Sequence, residues 1–272
     1  MFLLDQPFLF TPFLFFVTLL VVEAGYRLSV RRAVNEEAPI HEQIVNARDA
    51  LRLLLSLLLG FTLAMALPRF DQRRQMIVDE ANSIGATYLR AQLLPAEEKG
   101  RVLGLLKEYV GVRRRSAELR LDTVEYQSLV KRTRELQSEL WEQAVSAGQK
   151  APSPITGLFV SSLNETITLA EKRRASVENR VQISVWIMLF LIALLTSFAT
   201  GYSSRRRIWL AFLTTPIMVA IVMGMTADMD SPRSGLIRTD VRSLRRVEEQ
   251  LKSTPVTSTE PLVPAGISTP SK

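Results

Sequence analysis

The sequence predicts an all-α membrane protein, with four transmembrane helices and a helical extramembrane bundle between the second and the third. Three observations carry this. Of 272 residues, 47% are hydrophobic and 22% charged, averages that would suit a soluble domain, yet the apolar residues are gathered into four blocks. Most of the charge lies in a central stretch of more than 100 residues and in the C-terminal part. That central stretch has helical periodicity and almost no strand signal.

A bilayer core asks for roughly 17 to 25 apolar residues per helix. The uncharged intervals at 6–22, 53–68, 181–204 and 208–227 hold 17, 16, 24 and 20 residues. The second is the shortest, but Arg52 and Arg69 can bury their methylene stems and snorkel outward, which adds about a turn at each end. The first has Asp5 before it, no Lys or Arg ahead of it, and Arg27, Arg31 and Arg32 behind it. A signal peptide has the opposite polarity, so the block reads as a retained helix continuing to about Val30. Within it Glu23 and Arg27 have the favourable i,i+4 order of an ion pair, with proton or ion binding by Glu23 as the alternative.

Pro95, Pro152 and Pro154 divide residues 69–180 into helical pieces. Ile77, Ala81, Ile84 and Tyr88 follow 4-3-4 spacing, so the second membrane helix is expected to continue out of the bilayer with one apolar face. After Pro95 comes a shorter helix with Glu97 and Glu98 near its start and Arg113, Arg114 and Arg115 beyond its end. Tyr126, Leu129, Thr133, Leu136 and Leu140 mark a third helix. Val160, Leu163, Ile167, Ala170, Arg174, Val177 and Val181 mark a fourth, expected to run into the third span. Such spacing fits an antiparallel bundle within one subunit and also a coiled coil. The expected organisation is 1–68, the first two membrane helices and their loop; 69–180, the helical region; 181–229, the last two membrane helices; 230–252, a membrane-proximal segment; and 253–272, a tail rich in Pro, Ser and Thr that is expected to be disordered.

With no cysteine and His41 as the only histidine, thiolate chemistry, Cys-based zinc sites and a Ser-His-Asp triad lack their residues. An enzyme is not expected. The net charge of +7 and pI near 10 raise nucleic acid and an anionic membrane surface as partners. Sorted by membrane face, the loop side carries 8 basic and 5 acidic residues and the other side 26 and 22. Neither is strongly polybasic, so the expected partner is the lipid bilayer and not nucleic acid. The basic loop at Arg205, Arg206 and Arg207 and the basic flanks at Arg69, Arg73, Arg74, Lys172 and Arg173 pull the positive-inside rule in opposite directions, and charge alone leaves orientation open. Asp79, Glu80 and Glu165 read as solvated acids on amphipathic helices, with a ligand role as the alternative, and Arg113 to Arg115 as solvated or lipid-facing.

The second span is the most informative segment. Leu53, Leu57 and Phe61 form one stripe, and Ser56, Gly60 and Ala64 form an adjoining stripe of small side chains. Small residues at this spacing let helices approach closely. Large apolar residues in line also suit a narrow pore that gates by dewetting.

Ser56 through Gln72 resembles the second membrane helix of the bestrophin anion channels, with Leu59-Gly60-Phe61 followed, eight residues after the Phe, by Arg69 and its aromatic and amide neighbours Phe70 and Gln72. Over most of residues 50–240, GFTLAMALPRFDQRRQMIVDEANSIGATYLRAQLLP and DMDSPRSGLIR are similar to a bacterial bestrophin-like membrane family. The resemblance implies a pentamer around a central pore for small anions, in the bacterial inner membrane, with the helical region and both termini cytoplasmic. Carried over by position, it places a pore neck at Leu53, Leu57 and Phe61; the spacing of small residues itself gives helix packing at Ser56, Gly60 and Ala64, and the polar end of the span gives a membrane interface at Arg69, Asp71 and Gln72. The nearest counterparts of the family's calcium clasp are Asp228 and Asp230, few for a cation that takes six to eight oxygens; a solvated interface pair is the alternative. The sequence departs from the bestrophin pattern at Pro68 and Asp71. A second functional reading is a non-conducting scaffold or sensor that acts through its helical region.

Overall fold

A computed structural model describes residues 6–32, 38–231 and 240–253. Among them run eight helices and no strand: α1 (Pro7–Arg32), α2 (Ala38–Ala91), α3 (Ala96–Glu118), α4 (Val124–Lys150), α5 (Pro154–Glu178), α6 (Ile183–Tyr202), α7 (Trp209–Asp230) and α8 (Arg242–Ser253). α1, α2, α6 and α7 are long and apolar enough to cross a membrane. The expected disordered tail lies outside the described residues, apart from Ser253 at the end of α8.

α2 joins the two halves of the molecule. Its 54 residues at 1.5 Å per residue span about 80 Å, far more than the roughly 30 Å of a bilayer core. It begins at Ala38, so much of the expected loop between the first two spans is helical, and it continues without a break through Pro68. Proline is tolerated in membrane helices because neighbouring groups and local adjustment re-satisfy the freed backbone.

The C-terminal part of α2 forms a bundle with α3, α4, α5 and α8. Its core gathers Ile77, Ala81, Ile84 and Tyr88 from α2, Leu103, Leu106 and Tyr109 from α3, Leu136 and Leu140 from α4, Phe159 and Leu163 from α5, and Leu244 and Leu251 from α8. Each Ile, Leu or Phe among them taken from water contributes roughly 1.5–3 kcal/mol. Caps fix where the helices begin: the side chains of Thr123 and Ser153 accept from the amides of Tyr126 and Thr156, each at 3.2 Å. A buried hydroxyl ladder pins α2 to α5, with Ser83 2.8 Å and Thr87 2.9 Å from the Thr166 hydroxyl, and Thr87 donating to the Ser162 carbonyl at 3.0 Å. α8 is the helix within the segment expected only to be membrane-proximal. Leu244, Val247, Glu248 and Leu251 stand at i, i+3, i+4 and i+7 and turn inward against the bundle.

The expectation that the fourth extramembrane helix runs into the third span is not met. α5 ends at Glu178 and α6 starts at Ile183. In the gap, the Val181 amide donates to the Asp230 carboxylate at 2.9 Å, and the Val181 side chain is buried with the membrane-half core. A carboxylate at the end of α7 therefore takes the place of a helical carbonyl, a long-range partner that local spacing does not show.

In the membrane half, α1 packs on α6 and α7, and α2 packs on α6 and α7. Lipid offers no hydrophobic drive between helices, so close backbone approach matters. A Cβ at Gly25 would run into the Phe198 carbonyl, and one at Gly201 into the Val22 carbonyl. Edge-on ring contacts flank this seam, Phe10 with Trp186 at 5.9 Å and Tyr26 with Phe212 at 5.2 Å. At the loop end, Glu23 accepts from Arg27 at 2.8 Å and from Arg207 at 2.6 Å, and the Arg207 guanidinium lies 4.8 Å from the centre of the Trp209 ring. The spaced pair read from the sequence forms, and it also ties the basic loop to α1.

Candidate functional site

Side chains along the membrane part of α2 sort by face. Leu55, Leu59, Thr62 and Ala66 are buried at 4-3-4 spacing, one stripe of a helix, and Leu55 and Leu59 share a core with Leu189, Ala193, Val219 and Met223 of α6 and α7. On the opposite face Leu53, Leu57 and Phe61 are 72%, 52% and 58% exposed. Ser56, Gly60 and Ala64 border them and are also exposed. A Cβ added to Gly60 would meet nothing within 4 Å. Both stripes singled out in the sequence therefore turn away from the rest of their own chain.

At the far end of the span, Arg69 is half-buried, while Asp71 and Gln72 are exposed. Arg69, Gln72 and Arg73 line a cleft between α2 and α5. Arg73 is 4% exposed and donates to the carbonyls of Met229 and, at 3.0 Å, Asp230. α7 thus ends on a guanidinium from α2.

Asp228 and Asp230 are both buried, which corrects the solvated-pair alternative. Asp230 holds the α5–α6 junction through the Val181 amide. Asp228 lines an apolar cleft with Thr11, Gly224 and Met225. Among the described residues no three of His, Cys, Asp and Glu come together as a metal site would require.

Glu80 is not a solvated acid: it is fully buried and accepts from Arg113 of α3 and Arg173 of α5. Burial pushes the Glu80 carboxyl up, but the charges and hydrogen bonds of the two guanidiniums outweigh it and hold it down at about 2. Nor do Arg113 to Arg115 face solvent or lipid as a group. Arg113 is committed to Glu80, Arg114 pairs with Glu118 and with Glu248 of α8, and Arg115 pairs with Glu125. Glu80 had a signal in the sequence, since it sits between Ile77 and Ala81 on the stripe that packs inward. Its partners had none, because α3 and α5 meet it only in three dimensions.

The Bestrophin-like domain matches residues 13–244. The chain belongs to the Bestrophin-like family. Its fold is similar to that of a bacterial bestrophin homologue from Klebsiella pneumoniae, with a TM-score of 0.66 at 13% identity over 88% of this chain and 96% of that one. A point variant of the homologue gives 0.65 at 12% identity, covering 89% and 97%. A structure described as a variant of a membrane protein gives 0.67 at 12%, covering 88% and 96%. No curated protein matches the sequence. This Bestrophin-like chain is a multi-pass membrane protein, and its likeness to the solved structures is one of fold.

Proposed function

We propose that this Bestrophin-like protein is a homo-oligomeric channel for small anions, with its pore along α2 and an apolar neck at Leu53, Leu57 and Phe61. One observation carries the reading: α2 packs on its own chain through one stripe and leaves the opposite stripe of large apolar residues uncovered, with small residues beside it. In a ring of subunits Ser56, Gly60 and Ala64 admit a neighbouring helix at close range, and the large side chains turn to the axis. A neck of Leu and Phe offers an ion no ligand, so it gates by dewetting. α2 carries no acidic residue between Asp49 and Asp71, which suits an anion, and kinship with bestrophins supports the same choice. The bestrophin likeness implies a pentamer in the bacterial inner membrane, with the bundle and termini cytoplasmic.

Mass measurement in detergent tests the assembly. The expected particle holds five copies of the 30.6 kDa chain. A monomer would contradict the proposal, because one α2 encloses no pore, and would leave the scaffold reading in its place.

A further inference from the structure

The cleft between α2 and α5 is cationic. It measures 240 Å³, many times the roughly 10–15 Å³ that holds one water. On one wall stand Arg69, Gln72, Arg73 and Met76, and on the other Lys172, Ala175, Ser176 and Asn179. Among the described residues three cations line it, and no acidic residue does.

Two of those cations have unspent donors. Among the described residues, a terminal nitrogen of Arg69 and the Nε of Arg73 are buried without a hydrogen-bond partner. Arg73 is 4% exposed, and its other two nitrogens are fixed on the backbone carbonyls at the end of α7. Its guanidinium is thus held in place before any ligand arrives. A buried N–H left unpaired costs roughly 1–3 kcal/mol, more when charged, so each of these donors favours an oxyanion that can reach it from the cleft. Arginine presents a planar fork of donors that matches phosphate oxygens, and Lys172 adds a point charge opposite.

We infer that this cleft binds a phosphate group, carried by a lipid headgroup or as free phosphate. The cleft opens just past the apolar block that ends at Pro68, at the level where headgroups meet a membrane helix. The inference is independent of the channel reading, since it concerns a different face of α2.

The test uses the full chain in neutral detergent at fixed ionic strength and reads the shift in unfolding midpoint. The probes are a short-chain phosphatidic acid, the diacylglycerol of the same chain length, and inorganic phosphate. Phosphatidic acid is expected to stabilise saturably and diacylglycerol not at all. The apparent affinity is expected to fall about tenfold in Lys172→Gln, an exposed position whose change leaves the fold alone, and further in Arg69→Gln. If inorganic phosphate stabilises with the same dependence on Arg69 and Lys172 and the lipid does not, the site stands and its occupant is the free anion. Equal binding by wild type and both variants, or no stabilisation by either phosphate, overturns the site.

Discussion

Glu80→Gln is expected to lower the unfolding midpoint of the detergent-solubilised protein by on the order of 10 °C. Glu80 is the only anion hydrogen-bonded to both Arg113 and Arg173 among the described residues, and it is fully buried. Removing one partner of a buried ion pair costs roughly 3–5 kcal/mol, because the charges left behind have given up water for nothing. In a chain of this size each kcal/mol moves the midpoint by about 2–4 °C. The glutamine keeps the shape and the carbonyl and loses the charge, so the loss reports electrostatics and not a cavity. The carboxyl is held at about 2 in the folded protein, against about 4.3 in an unfolded chain. A depressed folded-state value gives stability that is present above the unfolded value and is lost as pH falls toward about 2. Wild type is therefore expected to weaken steeply from pH 5 downward and Glu80→Gln less so, as thermal unfolding at several pH values would show. Equal midpoints for the two proteins at neutral pH would mean that the three charges are not coupled.

Phe61→Ala is expected to raise the conductance of the reconstituted protein at least several-fold without unfolding it. Phe61 is 58% exposed and lies outside the buried stripe of α2, so its truncation leaves no cavity within its own chain. In the proposed assembly the ring is the bulkiest side chain of the neck, and its loss widens the apolar constriction and favours wetting. Planar-bilayer recordings in chloride salt compare the two proteins. An unchanged current would move the constriction off this residue.

How far the sequence foretold the structure depended on whether the deciding contacts were local. The four spans were legible because a membrane imposes a length and an apolar content that counting detects. The outward helix through Ile77, Ala81, Ile84 and Tyr88 was legible because packing repeats with the helical turn. The break at residues 179–182 was not, since it holds no Pro or Gly and is stabilised by Asp230, 49 positions from Val181. Glu80 shows the same limit in another form. Its register put it on the inward face, but an isolated acid usually points to water, and only the arrival of α3 and α5 supplies the two arginines. At the candidate site, the sequence located both stripes of α2, and the structure added which face of the helix each occupies. The cationic cleft was legible only as scattered basic residues, because Arg69 and Lys172 face each other only once α5 folds back along α2.

The most direct test of the central claim is thiol modification of Leu57→Cys during current recording, in the Phe61→Ala background where the neck is expected to conduct. The chain has no cysteine of its own, so the added thiol is the sole target. Leu191→Cys on α6, 54% exposed and off the proposed pore helix, serves as the control. A charged methanethiosulfonate reagent is expected to change the current sharply at position 57 and to leave it unaltered at position 191. Absence of any current, or a current indifferent to modification of Leu57→Cys, would contradict a pore lined by α2.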